Sequence, residues 1–152
     1  LHHGNGTQDI FYDDDSVFYF STHQAPLYPG TGWHEERGVR KGHGHTLNCP
    51  VPAGSGRDEV FGAFEQKLLP EMEQFRPEFI LVSAGFDSRI GDPLGMLRLE
   101  DEDFADLTRL MLDIAEKFAG GRLVSVLEGG YNLPGLASAA AAHVGALMGR
   151  VS

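Results

Sequence analysis

The sequence predicts an α/β domain built on a parallel sheet, and two observations indicate this fold class. Short apolar segments rich in β-branched residues alternate along the chain with longer segments whose apolar residues recur at helical spacing. Strands that alternate with helices in this way pair in parallel, because each helix returns the chain to the start of the next strand. The 152 residues, 41% of them hydrophobic, are enough for one ordinary domain with a real core.

Four segments are predicted as strands, at residues 17–21, 46–51, 79–82 and 123–127. The first is rich in aromatic residues, and the second ends at Pro52 and Gly54. The last two are short, unbroken apolar runs, which are typical of strands buried on both faces of a parallel sheet. The sequence therefore predicts that these two strands lie in the middle of the sheet.

Helices are predicted at residues 58–75, 101–118 and 134–149, with a short helical turn at 7–12. Pro70 should kink or split the first helix, because proline lacks the backbone N–H and its ring clashes with the preceding turn. Paired glycines at 120 and 121 end the second helix, and the carboxylates at 100–103 should cap its start. Residues 22–44 show no period, and so long a loop is usually functional or disordered.

The bulk composition narrows the classes of partner. A formal net charge of −10 argues against a general nucleic-acid binder and favours cationic partners such as lysine-bearing peptides or polyamines. The single cysteine, Cys49, excludes an internal disulfide, so we expect a reducing compartment and a cytoplasmic location. We expect Cys49 to be a buried apolar residue rather than a nucleophile. No apolar run approaches the roughly 18 residues of a membrane span.

Three polar groups follow turns or predicted strand ends. Asp87 comes just after the strand at 79–82, at the sheet edge where α/β proteins bind ligands. It is a candidate metal ligand or base, and the alternative is a turn or helix N-cap aspartate. His2 near the start and Tyr131 after two glycines are the other two groups. Histidine nitrogen and aspartate oxygen are catalytic zinc ligands, and a tyrosine hydroxyl can stabilise an oxyanion, although spacing alone does not bring these residues together.

Four sequence strings are more specific: HHGNGTQDIFY, STHQAPLYPGTG, LVSAGFDSRIGDPLG and VSVLEGGYNL. Together they resemble the histone deacetylase and acetylpolyamine amidohydrolase family, in that family's order and over nearly the whole chain. The HHGNG and EGGYNL forms are similar to its class II and bacterial members. The resemblance implies an arginase/deacetylase-like, three-layer α/β/α fold with a parallel sheet. It also implies zinc-dependent hydrolysis of acetyl-lysine or acetylpolyamine amides to acetate and a free amine.

The resemblance also implies roles for individual residues. The zinc ligands fall on His2 and Asp87, and the transition-state tyrosine falls on Tyr131. Asn5 stands at the position that orients a catalytic histidine. The positions that line the acyl-lysine tunnel are Tyr28, Leu94, Gly129 and Gly130. Two potassium sites are implied, an inner one with the His2 carbonyl, Ser21 and Thr22, and an outer one with the carbonyls of Phe11, Asp14 and Val17.

The family's remaining chemical groups have no counterpart in this sequence. The family's first zinc ligand would immediately precede Leu1, and its general-base histidine pair belongs to an N-terminal half. We therefore expect residues 1–152 to be the C-terminal portion of a single catalytic domain, inactive alone and paired with the missing N-terminal half or with another copy. One alternative is a non-catalytic interaction module. Another is a sugar- or nucleotide-binding domain, which the absence of a G-x-G-x-x-G turn after a strand disfavours.

Several other polar residues receive structural expectations or none. His3 is expected to be structural, Asp92 to shape its own loop, and His143 to face solvent or the edge of the core. No role is assigned to the histidines in or beside the long loop, His23, His34, His43 and His45.

Overall fold

The computed structural model describes residues 1–149, which form four strands and five α-helices. In chain order these are α1 (Asn5–Ile10), β1 (Tyr19–Gln24), β2 (Thr46–Val51), α2 (Arg57–Ala63), α3 (Leu69–Phe75), β3 (Ile80–Ala84), α4 (Asp101–Ala119), β4 (Leu123–Leu127) and α5 (Leu133–Leu147). A 3₁₀ turn at Arg40–Gly42 precedes β2, and a π-helical turn at Phe64–Leu68 joins α2 to α3. Within residues 1–149, no helix has the length and apolar character needed to cross a membrane.

The strands pair in parallel, as the sequence predicts. β1 pairs with β2, with Tyr19 opposite Thr46 at one end and Gln24 opposite Val51 at the other. β3 pairs with β4 in the same way, from Ile80 opposite Leu123. The described residues therefore contain two separate two-stranded parallel units.

The first strand is displaced from its predicted position at residues 17–21. Pairing begins where the Tyr19 N–H donates to the His45 carbonyl over 2.8 Å, and it continues to Gln24. The polar residues Thr22, His23 and Gln24 belong to the strand because they lie opposite the three residues that end β2. The long loop consequently begins at residue 25 rather than at residue 22.

The prediction that the third and fourth strands are buried on both faces is wrong. Ile80 is buried in the core, but its neighbour Leu81 is 72% exposed. Leu81 lies opposite Val124, and Val126, two residues further along β4, is exposed on the same face. On the opposite face Ile80 packs against Met72 of α3 and Ile114 of α4. The outer face has an exposed apolar row, defined here as Leu81, Val124 and Val126.

Helix α4 connects the two main clusters of the core. Ile114 packs with Leu68 and Ile80 in one cluster, and Phe104 packs with Phe86 in the other. The expected cap at its start is present, because the Glu100 N–H donates to the Asp103 carboxylate over 2.8 Å. α4 also packs along α5, which fixes the direction in which α5 leaves the end of β4.

The segment of the first predicted helix is helical from residue 57 to residue 75, and Pro70 is preceded by a local π-helical turn rather than by a break. The π-helical turn at Phe64–Leu68 separates α2 from α3, and Pro70 occupies the first turn of α3. In a regular α-helix the proline ring would clash with the carbonyl of Gln66, four residues earlier, and a wider π turn relieves that clash.

His143 is buried, which contradicts its predicted place facing solvent or at the edge of the core. Its Nδ1 lies 2.6 Å from the Thr108 hydroxyl, and its Nε2 lies 2.8 Å from the Ser125 hydroxyl. Thr108 donates its own proton to the Phe104 carbonyl, so it accepts from His143 Nδ1–H, and Ser125 donates to Nε2. Burial lowers the pKa of His143, and the neutral imidazole thereby joins α4, α5 and β4.

Replacing His143 with glutamine is expected to lower the free energy of unfolding by about 1–3 kcal/mol, because the buried Thr108 hydroxyl and the half-buried Ser125 hydroxyl lose a well-placed partner. The pKa of folded His143 lies below its ordinary value of 6.5, so the unfolded chain binds the proton more readily. The stability contributed by the neutral ring is therefore complete above that value and declines as the pH falls below it. Denaturant unfolding at pH about 7.5 and about 5.5 should show a larger decline in the parent than in His143→Gln. Equal declines would contradict this assignment.

Candidate active site

The Asp87 carboxylate is buried and faces the start of the chain. β3 ends at Ala84, and the Phe86 N–H then donates to the Gly129 carbonyl over 2.8 Å. Asp87 Oδ2 lies 3.0 Å from His2 Nδ1, and Oδ1 lies 3.2 Å from the Leu1 nitrogen. Asp87 lies in a turn, but these partners are far away in sequence, so its carboxylate bonds across the fold rather than within that turn.

Backbone pairing fixes His2 opposite Asp87. The Leu1 carbonyl accepts a hydrogen bond from the Gln24 N–H at the end of β1, over 2.9 Å. The Leu1 side chain packs with Val51 and Leu97 in a small buried cluster. His2 is therefore held at the carboxyl ends of the strands, which is the edge where parallel sheets present their ligands.

Two glycines allow the loop after β4 to approach this site. A Cβ on Gly129 would lie 2.2 Å from Asp87 Oδ2, so any side chain there would overlap the carboxylate. Gly130 has a backbone φ angle of +145°, and a Cβ there would lie 2.8 Å from the Leu136 side chain. Both positions require glycine, because one approaches the carboxylate and the other has a backbone conformation that other residues rarely adopt.

Of the residues predicted to line the tunnel, Tyr28 contacts His2 and Gly129 lies against Asp87. The Tyr28 ring meets the His2 ring edge-on, with 6.4 Å between centroids, and its side chain is 79% exposed. Leu94 is half exposed, and Tyr131 is 51% exposed. The backbone N–H groups of Leu94 and Tyr131 both donate to Asp92, which connects their two loops.

His2 and Asp87 fit two of the ligand positions of a catalytic zinc site. They offer an imidazole nitrogen and a carboxylate, the donor types of such sites, and Gly129 leaves the adjacent space free of side chain. Catalytic zinc takes three protein ligands. Across residues 1–149, no group of three His, Cys, Asp or Glu side chains is arranged to hold a metal ion. The described residues thus supply an incomplete donor set of the correct chemistry.

The residues predicted for the potassium sites occupy two places. Phe11, Asp14 and Val17 lie on the segment between α1 and β1, where the Phe11 carbonyl accepts from the Asp14 N–H over 3.2 Å. Ser21 and Thr22 are consecutive residues of β1. Asn5 is exposed at the first position of α1. The roles of these residues remain predictions.

A buried polar network behind His2 is not evident from the sequence. His3 Nε2 donates to Gln8 Oε1 over 2.9 Å, and Asn48 donates to the same oxygen over 2.7 Å. Gln8 in turn donates to Glu36, whose carboxylate accepts from the Gly32 N–H over 2.9 Å. These hydrogen bonds hold the long loop in place, and His3 is structural as expected. No spacing pattern marks such residues, since their partners come from different elements.

His23 also belongs to this buried region and receives no role from the sequence. Its Nε2 donates to the Gly32 carbonyl over 2.9 Å, and its Nδ1 accepts from the Ser21 hydroxyl over 2.9 Å. Burial, with a smaller contribution from His3, lowers the pKa of His23 to about 4. The ring is therefore neutral near pH 7 and acts as a fixed hydrogen-bonding group beside His3.

Comparisons with known proteins show which family the chain belongs to. The family profile described as "Histone deacetylase domain" matches residues 1–147. A probable deacetylase of Archaeoglobus fulgidus is 48% identical over 134 residues, which cover 88% of this chain and 37% of that protein. Histone deacetylase 14, chloroplastic, of Arabidopsis thaliana is 44% identical over 152 residues, which cover 100% of this chain and 36% of that protein.

A solved structure of a related domain also matches the fold of this chain. The crystal structure of the HDA15 HD domain superposes with a TM-score of 0.92 at 38% identity, covering 99% of this chain and 42% of that one. The predicted arginase/deacetylase-like α/β fold is thereby confirmed. The chain spans just over a third of the length of the two relatives named above. With a matching domain profile and a superposable deacetylase domain, the chain belongs to the histone deacetylase family.

Proposed function

We propose that this chain contributes to a zinc-dependent deacetylase that hydrolyses the amide of acetyl-lysine or acetylpolyamine to acetate and a free amine. The observation that carries the proposal is the convergence of His2 Nδ1 and Asp87 Oδ2, 3.0 Å apart at the carboxyl ends of the strands. Family membership supports hydrolase chemistry, and the two donor types support zinc as the metal.

Each site residue has a distinct task in this proposal. His2 and Asp87 hold the zinc ion, which when bound polarises the acetyl carbonyl and acidifies a water molecule. Tyr131 donates its phenolic proton in a hydrogen bond to the oxygen on which negative charge develops. Tyr28 and Leu94 bind the aliphatic part of the acylated side chain, and the two glycines leave room for the acetyl group.

The third zinc ligand and the general base are proposed to come from residues outside this chain. The size of the relatives supports this, since the chain spans just over a third of their length. Without a positioned base, proton transfer worth roughly 10²–10⁴-fold in rate is lost. The test is an assay of zinc content and acetyl-lysine hydrolysis on this chain and on the intact deacetylase. Hydrolysis of acetyl-lysine by this chain alone would contradict the proposal that the third zinc ligand and the general base lie outside it.

The charge of the chain supports an amine-bearing substrate. The formal net charge of −10 favours approach of cationic lysine-rich peptides or polyamines and disfavours direct binding to nucleic acid. Initial rates on an acetyl-lysine peptide and on an acetylpolyamine distinguish the two substrate classes.

Potassium is proposed as a second cation, held by Ser21 and Thr22 at one site and by the carbonyls at positions 11, 14 and 17 at the other.

The exposed apolar row is proposed to pack against the part of the deacetylase domain that lies outside this chain. Leu81 and Val126 are exposed β-strand side chains, and such surfaces are costly to leave in water. The length of the relatives provides a source for the covering segment. The alternative partner is a second copy of this chain, packed on the same row.

Replacing Leu81 with aspartate is expected to weaken binding to the separately expressed remainder of the domain by at least about tenfold, because a charge would be buried in the contact. Ile10→Asp is the matched control, since Ile10 on α1 is also 72% exposed but lies outside the row. Sedimentation of the mixed components measures the affinity. Equal binding by the two variants would contradict the proposal that the row packs against the remainder of the domain. Self-association that the remainder of the domain does not displace would also contradict it.

A further inference from the structure

We propose that Asp92 is a positioning residue that fixes the backbone of Tyr131 and couples it to the tunnel wall at Leu94. The Asp92 side chain is buried, yet it touches neither predicted zinc ligand among the contacts of residues 1–149. The inference rests on the proposed function, because it concerns the tyrosine assigned to the oxyanion. The sequence predicts only that Asp92 shapes its own loop, so the contact with the Tyr131 loop is an additional role.

The Asp92 carboxylate accepts hydrogen bonds from two loops at once. Oδ1 accepts from the Leu94 N–H over 2.9 Å, within its own loop. Oδ2 accepts from the Tyr131 N–H over 2.8 Å and from the Asn132 N–H over 3.3 Å, in the loop that follows β4. Hydrogen bonds of backbone N–H groups to a carboxylate are charge-assisted and are among the stronger ones in proteins.

Asn132 makes a reciprocal connection between the same two loops. Its Nδ2 donates to the Gly91 carbonyl over 3.0 Å. Its Oδ1 accepts from the Gly135 N–H over 3.2 Å and caps the start of α5. The loop that carries Tyr131 is therefore bonded to residues 91–92 on one side and to α5 on the other.

The local structure explains why Tyr131 needs this connection. Gly129 and Gly130 precede it, and glycines restrict the backbone less than any other residue. The Tyr131 ring is half exposed, so packing alone does not fix its direction. The base of the loop is held where Gly129 accepts from the Phe86 N–H, and its far end is held by Asp92. Removing the carboxylate frees the backbone at the residue that carries the hydroxyl.

A misplacement of about 1 Å in a catalytic group can reduce the rate on the order of 10²-fold. We therefore expect Asp92→Ala to lower kcat on acetyl-lysine peptide by roughly that factor in the intact deacetylase. If the effect acts through Tyr131, the same substitution in a Tyr131→Phe background should lower kcat by less than about threefold. Multiplicative effects in this double-mutant cycle would overturn the proposal.

A second experiment needs neither zinc nor substrate. Amide hydrogen exchange at Tyr131 and Leu94 should accelerate at least about tenfold in Asp92→Ala, because both amides lose their acceptor. The matched control is Asp103→Asn, which alters another buried carboxylate that accepts a backbone N–H, at the start of α4. That control should leave exchange at Tyr131 and Leu94 unchanged. Unaltered exchange in Asp92→Ala would overturn the proposal.

Further variants keep the two proposals separable. Asp92→Asn retains the shape of the side chain and serves where the alanine variant does not fold, with the same direction of change expected in both experiments. Trifluoroacetyl-lysine peptide, whose carbonyl relies less on an external donor, should lose less activity than acetyl-lysine peptide in both Asp92 variants. An intact protein with no deacetylase activity refutes the proposed function, and the exchange experiment then still decides whether Asp92 fixes Tyr131.

Discussion

Asparagine in place of Asp87 is expected to lower the zinc affinity of the intact deacetylase by more than about 100-fold and to abolish acetyl-lysine hydrolysis. Loss of an outer-shell partner of a metal ligand already costs about 10–100-fold in affinity, and loss of a direct anionic ligand costs more. Asp87 is 2% exposed, so solvent has little access to replace the missing donor.

Competition with a chromophoric chelator measures this affinity. Asp103→Asn is the control, because Asp103 is a buried aspartate of α4 that takes no part in the site. It should lower stability but keep zinc. Parent-like zinc affinity in Asp87→Asn would show that this carboxylate is not a ligand.

Removing only the hydroxyl of Tyr131, in Tyr131→Phe, is expected to lower kcat on acetyl-lysine peptide by about 10²–10³-fold, or about 2.7–4 kcal/mol of transition-state stabilisation. The donor acts on charge that develops during the reaction, so KM should change far less than kcat. Zinc affinity and stability should stay near parent values, because the ring is half exposed and the hydroxyl is not a zinc ligand in the proposed site.

Steady-state kinetics on the parent, Tyr131→Phe and Tyr12→Phe test this expectation. Tyr12 lies between α1 and β1, outside the predicted tunnel, and loses the same atom in the control. A Tyr131→Phe enzyme with kcat within about twofold of the parent would remove Tyr131 from the oxyanion role.

The sequence predicts the parallel pairing because that depends on local alternation of strands and helices. It also indicates the proposed ligand pair, but only through the family resemblance of the strings around His2 and Asp87. These residues are 85 positions apart, and spacing carries no information on whether they meet. Their contact depends on the Leu1 carbonyl pairing with Gln24, a tertiary hydrogen bond that composition and periodicity do not encode.

The predictions that the structure contradicts also failed for physical reasons. Apolar runs at β3 and β4 predict burial on both faces, yet burial depends on which elements cover each face, and Leu81 remains uncovered by residues 1–149. His143 lies on an alanine-rich helix where no polar stripe indicates its direction, so its bonds to Thr108 and Ser125 were not predictable. The sequence predicts a role for Asp92 only in its own loop, because a carboxylate that accepts distant backbone N–H groups leaves no sequence pattern.

The assignment of His2 and Asp87 as zinc ligands is tested most directly by anomalous scattering at the zinc edge from crystals of the intact deacetylase. The expected result is one zinc peak bonded to His2 Nδ1 and Asp87 Oδ2, which face each other across 3.0 Å in this structure. A zinc peak bonded to other residues, or a fully active crystalline enzyme without a peak between these two side chains, would contradict the assignment.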